Sequence, residues 1–102
     1  VNIYLLTQTD NNAFATYDSC IVIANNAEEA KIIHPDPEIK YYEDVDRWFE
    51  DEVDYVEYKV DCVYGYGYNT EWCKSPSQVN VEYLGQYKNN LKVGSVLCAN
   101  YV

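Results

Sequence analysis

The sequence is poor in the residues from which catalytic and metal sites are usually built. It has one histidine, His34, and only seven Lys and Arg among 102 residues, against seventeen Asp and Glu. Cys20, Cys62, Cys73 and Cys98 lie far apart, without the ligand pairs two to four residues apart that mark zinc sites. No Asn-x-Ser/Thr acceptor is present, and no apolar stretch approaches the ~20 residues that span a bilayer. The N-terminus has neither the basic region nor the apolar run of a signal peptide. These absences argue against a metal, a membrane or a cofactor. The expected setting is a cytoplasm, with free thiols. Cys20 and Cys98 stand in apolar runs, where a thiol is expected to act as a small buried hydrophobe.

What is present suffices for a core. A chain of this length has room for one domain, residues 1–102. Twelve tyrosines carry much of the apolar load, packing the ring while the hydroxyl stays wet. Asn2–Gln8 alternates around Ile3 and Leu5, as a strand does. Ser19–Ala24 is apolar on both faces, which predicts a strand in the middle of a sheet. Asn26 is placed to cap a helix carrying Ala27, Ala30 and Ile33, with Glu29 in capping-box position and Pro35 and Pro37 beyond its end. Val45, Trp48, Phe49 and Val53 share one face at helical spacing, predicting a second helix over 43–54. From Val56 to Tyr64 the period changes to two, predicting a half-exposed strand. Val79–Gly85 and Gly94–Tyr101 read as two more strands, joined as a hairpin across 86–93. The expected architecture is α+β, an antiparallel sheet with two helices on one face, in the order β-β-α-α-β-β-β.

Charge is unevenly spread. Residues 36–61 hold eleven acids and three bases, a net of −8 out of the chain's −10. A solvated, solubilising surface is one reading of such a run. The other starts from its cost: like charges one helical turn apart repel, and while Glu43/Arg47 relieves one such position, Asp46/Glu50 and Glu50/Asp54 are unrelieved. Carboxylates fixed on ordered elements can imitate a row of phosphates and attract a basic groove by the electrostatics that recruit nucleic acid. The residues expected to form such a partner-binding face are Glu43, Asp44, Asp46, Glu50, Asp51, Asp54, Glu57 and Asp61, with Tyr64 and Tyr66 beside them. Reversing Glu50, Asp51 and Asp54 to Lys is expected to remove that face and leave the fold intact.

Other constellations carry less. His34 before Pro35 is expected to interact with the end of its helix rather than to pair with a cysteine nucleophile. Pro35-Asp36-Pro37-Glu38-Ile39-Lys40 superficially resembles a metal-dependent nuclease motif, but compresses into six residues what such enzymes place on separate strands. Asp44-x-Asp46 lacks the glycine and terminal Glu of a calcium loop. Tyr64-Gly65-Tyr66-Gly67-Tyr68 has the aromatics of a single-strand binder without its basic groove, so direct nucleic-acid binding is not expected. No residue is assigned a catalytic role.

Several segments resemble a group of small uncharacterised phage and prophage proteins: Tyr4-Leu5-Leu6-Thr7-Gln8, Thr16-Tyr17-Asp18-Ser19-Cys20, Ala27-Glu28-Glu29-Ala30, Ile33-His34-Pro35, and Val79–Gly85 with Gly94 and Ala99-Asn100. Together they cover about half the chain, and residues 38–72 depart from the pattern. The resemblance implies no activity for any residue. It implies a setting, since small phage accessory proteins often bind and block a host protein. The expectation is therefore a non-enzymatic inhibitor that occupies the basic groove of a host nucleic-acid-binding protein, of the anti-CRISPR or anti-restriction type. The alternative is an assembly protein that self-associates, for example as a homodimer, through a Tyr-rich strand between Val56 and Tyr68.

Overall fold

The structure is a computed structural model and describes residues 1–11, 15–61, 71–88 and 92–101. Its centre is the hairpin of β1 (Asn2–Thr7) and β2 (Tyr17–Ala24), paired antiparallel from Asn2↔Ala24 to Thr7↔Ser19. Central placement pairs the backbone of both strands on each side and buries Tyr4, Leu6, Cys20, Val22, Ile23 and Ala24. The connection between them is held by Gln8, whose buried amide donates to the carbonyls of Tyr17 and Asn11, each at 2.8 Å, and accepts from the Asn11 N–H at 2.8 Å.

β5 (Asn80–Gln86) adds to β1, and β6 (Val96–Tyr101) adds to β2, so the sheet order is β5-β1-β2-β6, all antiparallel. The expected β5–β6 hairpin is therefore corrected. The two strands lie on opposite edges, on either side of the central β1–β2 pair, whose Leu6, Cys20, Val22, Ile23 and Ala24 are almost fully buried. One face of the sheet carries Tyr4, Leu6, Cys20, Val22 and Ala24 into the main core. Ala30, Ile39, Trp48, Trp72, Cys73 and Val79 join them there. Helix α1 (Ala27–Lys31) packs on β1, β2 and β5, buries Ala30, and is capped by the Asn26 side chain, which accepts from the Glu29 N–H at 2.8 Å. Residues 71–79 give Trp72, Cys73 and Val79 to the core. The Tyr17 N–H donates to the Glu71 carbonyl at 2.8 Å, and the Gln78 amide donates to Asp10 at 2.8 Å.

The fold is α+β, with antiparallel sheets and two helices, as expected. Its middle differs from the sequence reading. Residues 43–49 are not helical. β3 (Lys40–Tyr42) and β4 (Arg47–Phe49) form a second, two-stranded sheet, and α2 spans Glu52–Asp61, over most of the stretch expected to be a strand. Tyr41, Tyr42, Trp48 and Phe49 are strand formers that pair across the hairpin, while Glu43–Asp46 makes a turn closed by an Asp46 N–H to Glu43 carbonyl bond of 3.3 Å. Asp46 has φ of 54°, a left-handed conformation that Asp tolerates better than most residues. The helix begins where a cap is available: the Asp51 carboxylate accepts from the Asp54 N–H at 2.9 Å, and the Tyr55 N–H reaches the Asp51 carbonyl. The strand expected over Val56–Tyr64 is thus helical through Asp61; its remainder, 62–64, and Tyr66 beyond it lie outside the described residues.

Candidate functional site: an acidic hairpin and helix

Alternation along β4 links this acidic unit to the rest of the molecule. Trp48 turns into the main core, 1% exposed, and its indole N–H donates to the Ile32 carbonyl at 2.8 Å. Phe49, its neighbour, is as deeply buried but packs against Tyr42, Tyr55 and Tyr58. Tyr42 and Tyr55 stack, with ring centroids 4.1 Å apart and planes 18° from parallel. Successive residues thus serve two cores: Trp48 fastens the hairpin to the sheet, and Phe49 fastens α2 to the hairpin. This corrects the expectation that Val45, Trp48, Phe49 and Val53 share one face of a helix over 43–54. Val45 lies half-buried in the turn instead.

The acids line the outside of that unit. Glu43, Asp44 and Asp46 are exposed in the β3–β4 turn, Glu50 and Asp51 are exposed between β4 and α2, and Glu57 is exposed on α2 while Asp54 is half-buried there. Asp61 is the last residue of α2; its side chain, like Tyr64 and Tyr66, lies outside the described residues. The candidate face is thus drawn from a turn, a junction and a helix, not from one helix and one strand.

Two of its acids are fixed by neutral or basic partners. The Tyr55 hydroxyl donates to Asp44, and the Lys59 ammonium lies 3.2 Å from the same carboxylate oxygen and 3.3 Å from the Tyr55 hydroxyl. The hydrogen bond from Tyr55, then Lys59, hold the Asp44 carboxyl below its ordinary 3.8. On the other side of the turn the Tyr41 hydroxyl donates to Asp46 at 2.5 Å. Burial, followed by that bond and the Asp46 and Glu43 charges, pushes Tyr41 up to about 12. Both contacts hold the turn in place while leaving its carboxylates outward.

Elsewhere the acids crowd each other. Asp54 is raised above 3.8 by desolvation and then by Asp51, Glu57 and Glu50. Glu71 is raised above 4.5 by burial and then by the charges of Asp36 and Glu50. A hollow of ≈ 290 Å³ is lined by Asp36, Glu38, Ile39, Glu50 and Asp51. Asp36, Glu38 and Glu71 therefore extend the acidic surface beyond the residues expected from the sequence. Glu71 is distant in sequence from the acidic run, and nothing in its own neighbourhood signals that Tyr17 draws its backbone toward Asp36. Among the described residues no group of three His, Cys, Asp or Glu side chains is arranged to hold a metal ion.

The nucleophile candidates are placed for packing. His34 is buried among the rings of Tyr17, Trp48 and Trp72, 5.9–6.3 Å away, with Nδ1 accepting from the Asp36 N–H at 2.8 Å, rather than sitting at the end of α1. Cys20 and Cys73 are free and buried, and desolvation pushes each thiol up to about 12. Cys98 is free and exposed, correcting its expected burial: it lies on edge strand β6 opposite Ile21, on the face of the sheet away from the main core. Among the described residues no helix is long and apolar enough to cross a membrane. Comparison with known proteins returns no family model, curated protein or solved structure that matches this chain.

Proposed function

We propose that this chain is a non-enzymatic, phage-type inhibitor acting in the host cytoplasm, whose acidic hairpin–helix unit occupies the basic groove of a host nucleic-acid-binding protein. The observation that carries this reading is the outward display of Glu43, Asp44, Asp46, Glu50, Asp51 and Glu57 on a unit held rigid by the Phe49–Tyr55–Tyr58 cluster. Ordered carboxylates lose less freedom on binding than a disordered acidic tail would, so their attraction for fixed cations is better retained. The test uses Glu43→Lys, Glu50→Lys and Glu57→Lys together. Asp51 is avoided because it caps α2, so reversing it would disturb the helix as well as the charge. Wild-type protein immobilised on a resin should retain a basic host protein from lysate at low salt and release it to added DNA or RNA. The triple variant should retain none. Retention by the variant equal to wild type, or a ternary complex with nucleic acid, would refute the proposal.

A second reading, self-association, is favoured by a different observation. The Tyr-rich strand between Val56 and Tyr68 does not carry it, since Val56–Asp61 is helical. β6, however, is an edge strand with no charge or proline among its residues, and Leu97 and Tyr101 are exposed on it. Such an edge is open to pairing with another strand. Concentration-dependent dimers abolished by Leu97→Lys would establish this reading, and a monomer at all concentrations would exclude it.

A further inference from the structure

Helix α2 has two apolar faces, and the described residues cover one. Tyr55 and Tyr58 face the hairpin through Tyr42 and Phe49. Val53, Val56 and Val60, at i, i+3 and i+7, are 64%, 48% and 75% exposed. Valine is a poor choice for a solvent-facing helical position: its branched side chain loses rotamer freedom in a helix, and exposure returns nothing through burial. Three such residues on one stripe are left uncovered by the described residues. A shallow hollow of ≈ 320 Å³ lies beside the first two, lined among the described residues by Glu52, Val53, Val56 and Glu57. At about 100° per residue, Glu52 and Glu57 fall on opposite sides of the valine stripe.

We propose that the Val53–Val56–Val60 face docks an amphipathic helix of a partner protein whose apolar stripe is bordered by Lys or Arg. A row of side chains at i and i+3 spacing is the ridge that a second helix accepts in its groove. The border residues choose the occupant. Carboxylates flank the valines on both sides, with Glu50 and Asp51 exposed just before the helix. The one base on the helix, Lys59, is committed to Asp44. A second copy of α2 would bring the same carboxylates to the same borders, and an anionic lipid surface would repel them, whereas a basic border would pair with them. The inference rests on the acidic-unit reading and adds to it the shape of the partner: a helix, read through its apolar stripe as well as its charge.

The test uses two synthetic helical peptides of identical Leu, Lys and Ala composition, one with its leucines in a single stripe and one with them scattered around the helix. Each is titrated against the isotope-labelled protein. The striped peptide should bind roughly tenfold more tightly, as expected for hiding a few methyl groups from water, and should shift the Val53, Val56 and Val60 methyl signals first. Val53→Gln, Val56→Gln and Val60→Gln together should erase that advantage and leave only salt-sensitive binding. Gln forms helix better than Val, so the variant should stay folded, which circular dichroism checks; Val60→Gln alone, at the most exposed of the three, should give part of the same loss. Equal binding of both peptides by the wild type overturns the valine proposal while the acidic reading stands. Binding of neither overturns both. Shifts at the valine methyls that grow with protein concentration alone would identify the occupant as a second copy and overturn the proposal.

Discussion

Trp48 is the residue on which the two parts of the molecule depend. Its ring fills the main core and its indole N–H satisfies the Ile32 carbonyl at the end of α1. Trp48→Ala should lower stability by about 3–5 kcal/mol in urea denaturation, the usual loss for a large aromatic removed from a core. Trp48→Phe keeps most of the ring contacts but leaves that carbonyl without its donor, and should lose about 1–3 kcal/mol. The cysteines separate by position in the same way. In a Cys62→Ser background, Cys98 should react with a thiol reagent in the native protein, and Cys20 and Cys73 should react only on unfolding, since burial suppresses their thiolates. Three thiols labelled at once without denaturant would contradict this placement. The burial of Cys20 was legible in its apolar run. That of Cys98 was misread from an equally apolar run, because a run of apolar residues does not reveal whether its strand lies at a centre or an edge.

At the scale of elements, the ends of the chain were legible and the middle was not. β1 and β2 announce themselves by apolar content, and Asn26 marks the start of α1. Between residues 43 and 61 the side chains satisfy two periods at once: Val45, Trp48, Phe49 and Val53 fit a helix, while Val56, Tyr58 and Val60 alternate as a strand does. The caps decided between them. Asp51 stops one element and starts the next, and the acids of 43–46 serve as a turn rather than as a helix face that would have stacked Asp46 on Glu50. The consequence for the candidate site is that its acids come from a turn and a junction, whose positions depend on hydrogen bonds invisible to periodicity. Asp51→Ala should therefore lower stability by about 1 kcal/mol and reduce helical circular dichroism. Asp51→Asn, which can still accept from the Asp54 N–H, should keep most of both. Equal loss in the two variants would mean the carboxylate acts through its charge and not as a cap.

Over the whole molecule, a net charge of −10 concentrated in residues 36–61 makes stability depend on pH in a direction that can be worked out. Glu71 and Asp54 have folded values raised above 4.5 and 3.8, so the folded chain binds protons more readily than the unfolded chain does. Stability from these groups is fully present below those ordinary values and lost as pH rises through the raised ones. Asp44 runs the other way. Its value is lowered by Tyr55 and then Lys59, so what it contributes is present above 3.8 and lost as pH falls through its lowered value. The melting temperature should therefore rise as pH is brought down from 7, peak at about 4, and fall below that. Salt should raise it at pH 7 more than at the peak, because screening, which shortens from about 10 Å at 0.1 M to about 3 Å at 1 M, acts on charges that acid has already removed. Glu71→Gln isolates one contributor: it should raise the melting temperature at pH 7 and shrink the rise toward acid, while leaving the fall below the peak unchanged. A melting temperature that is flat or highest at pH 7 in low salt would mean the carboxylates of Asp36, Glu50 and Glu71 are too well solvated to oppose one another.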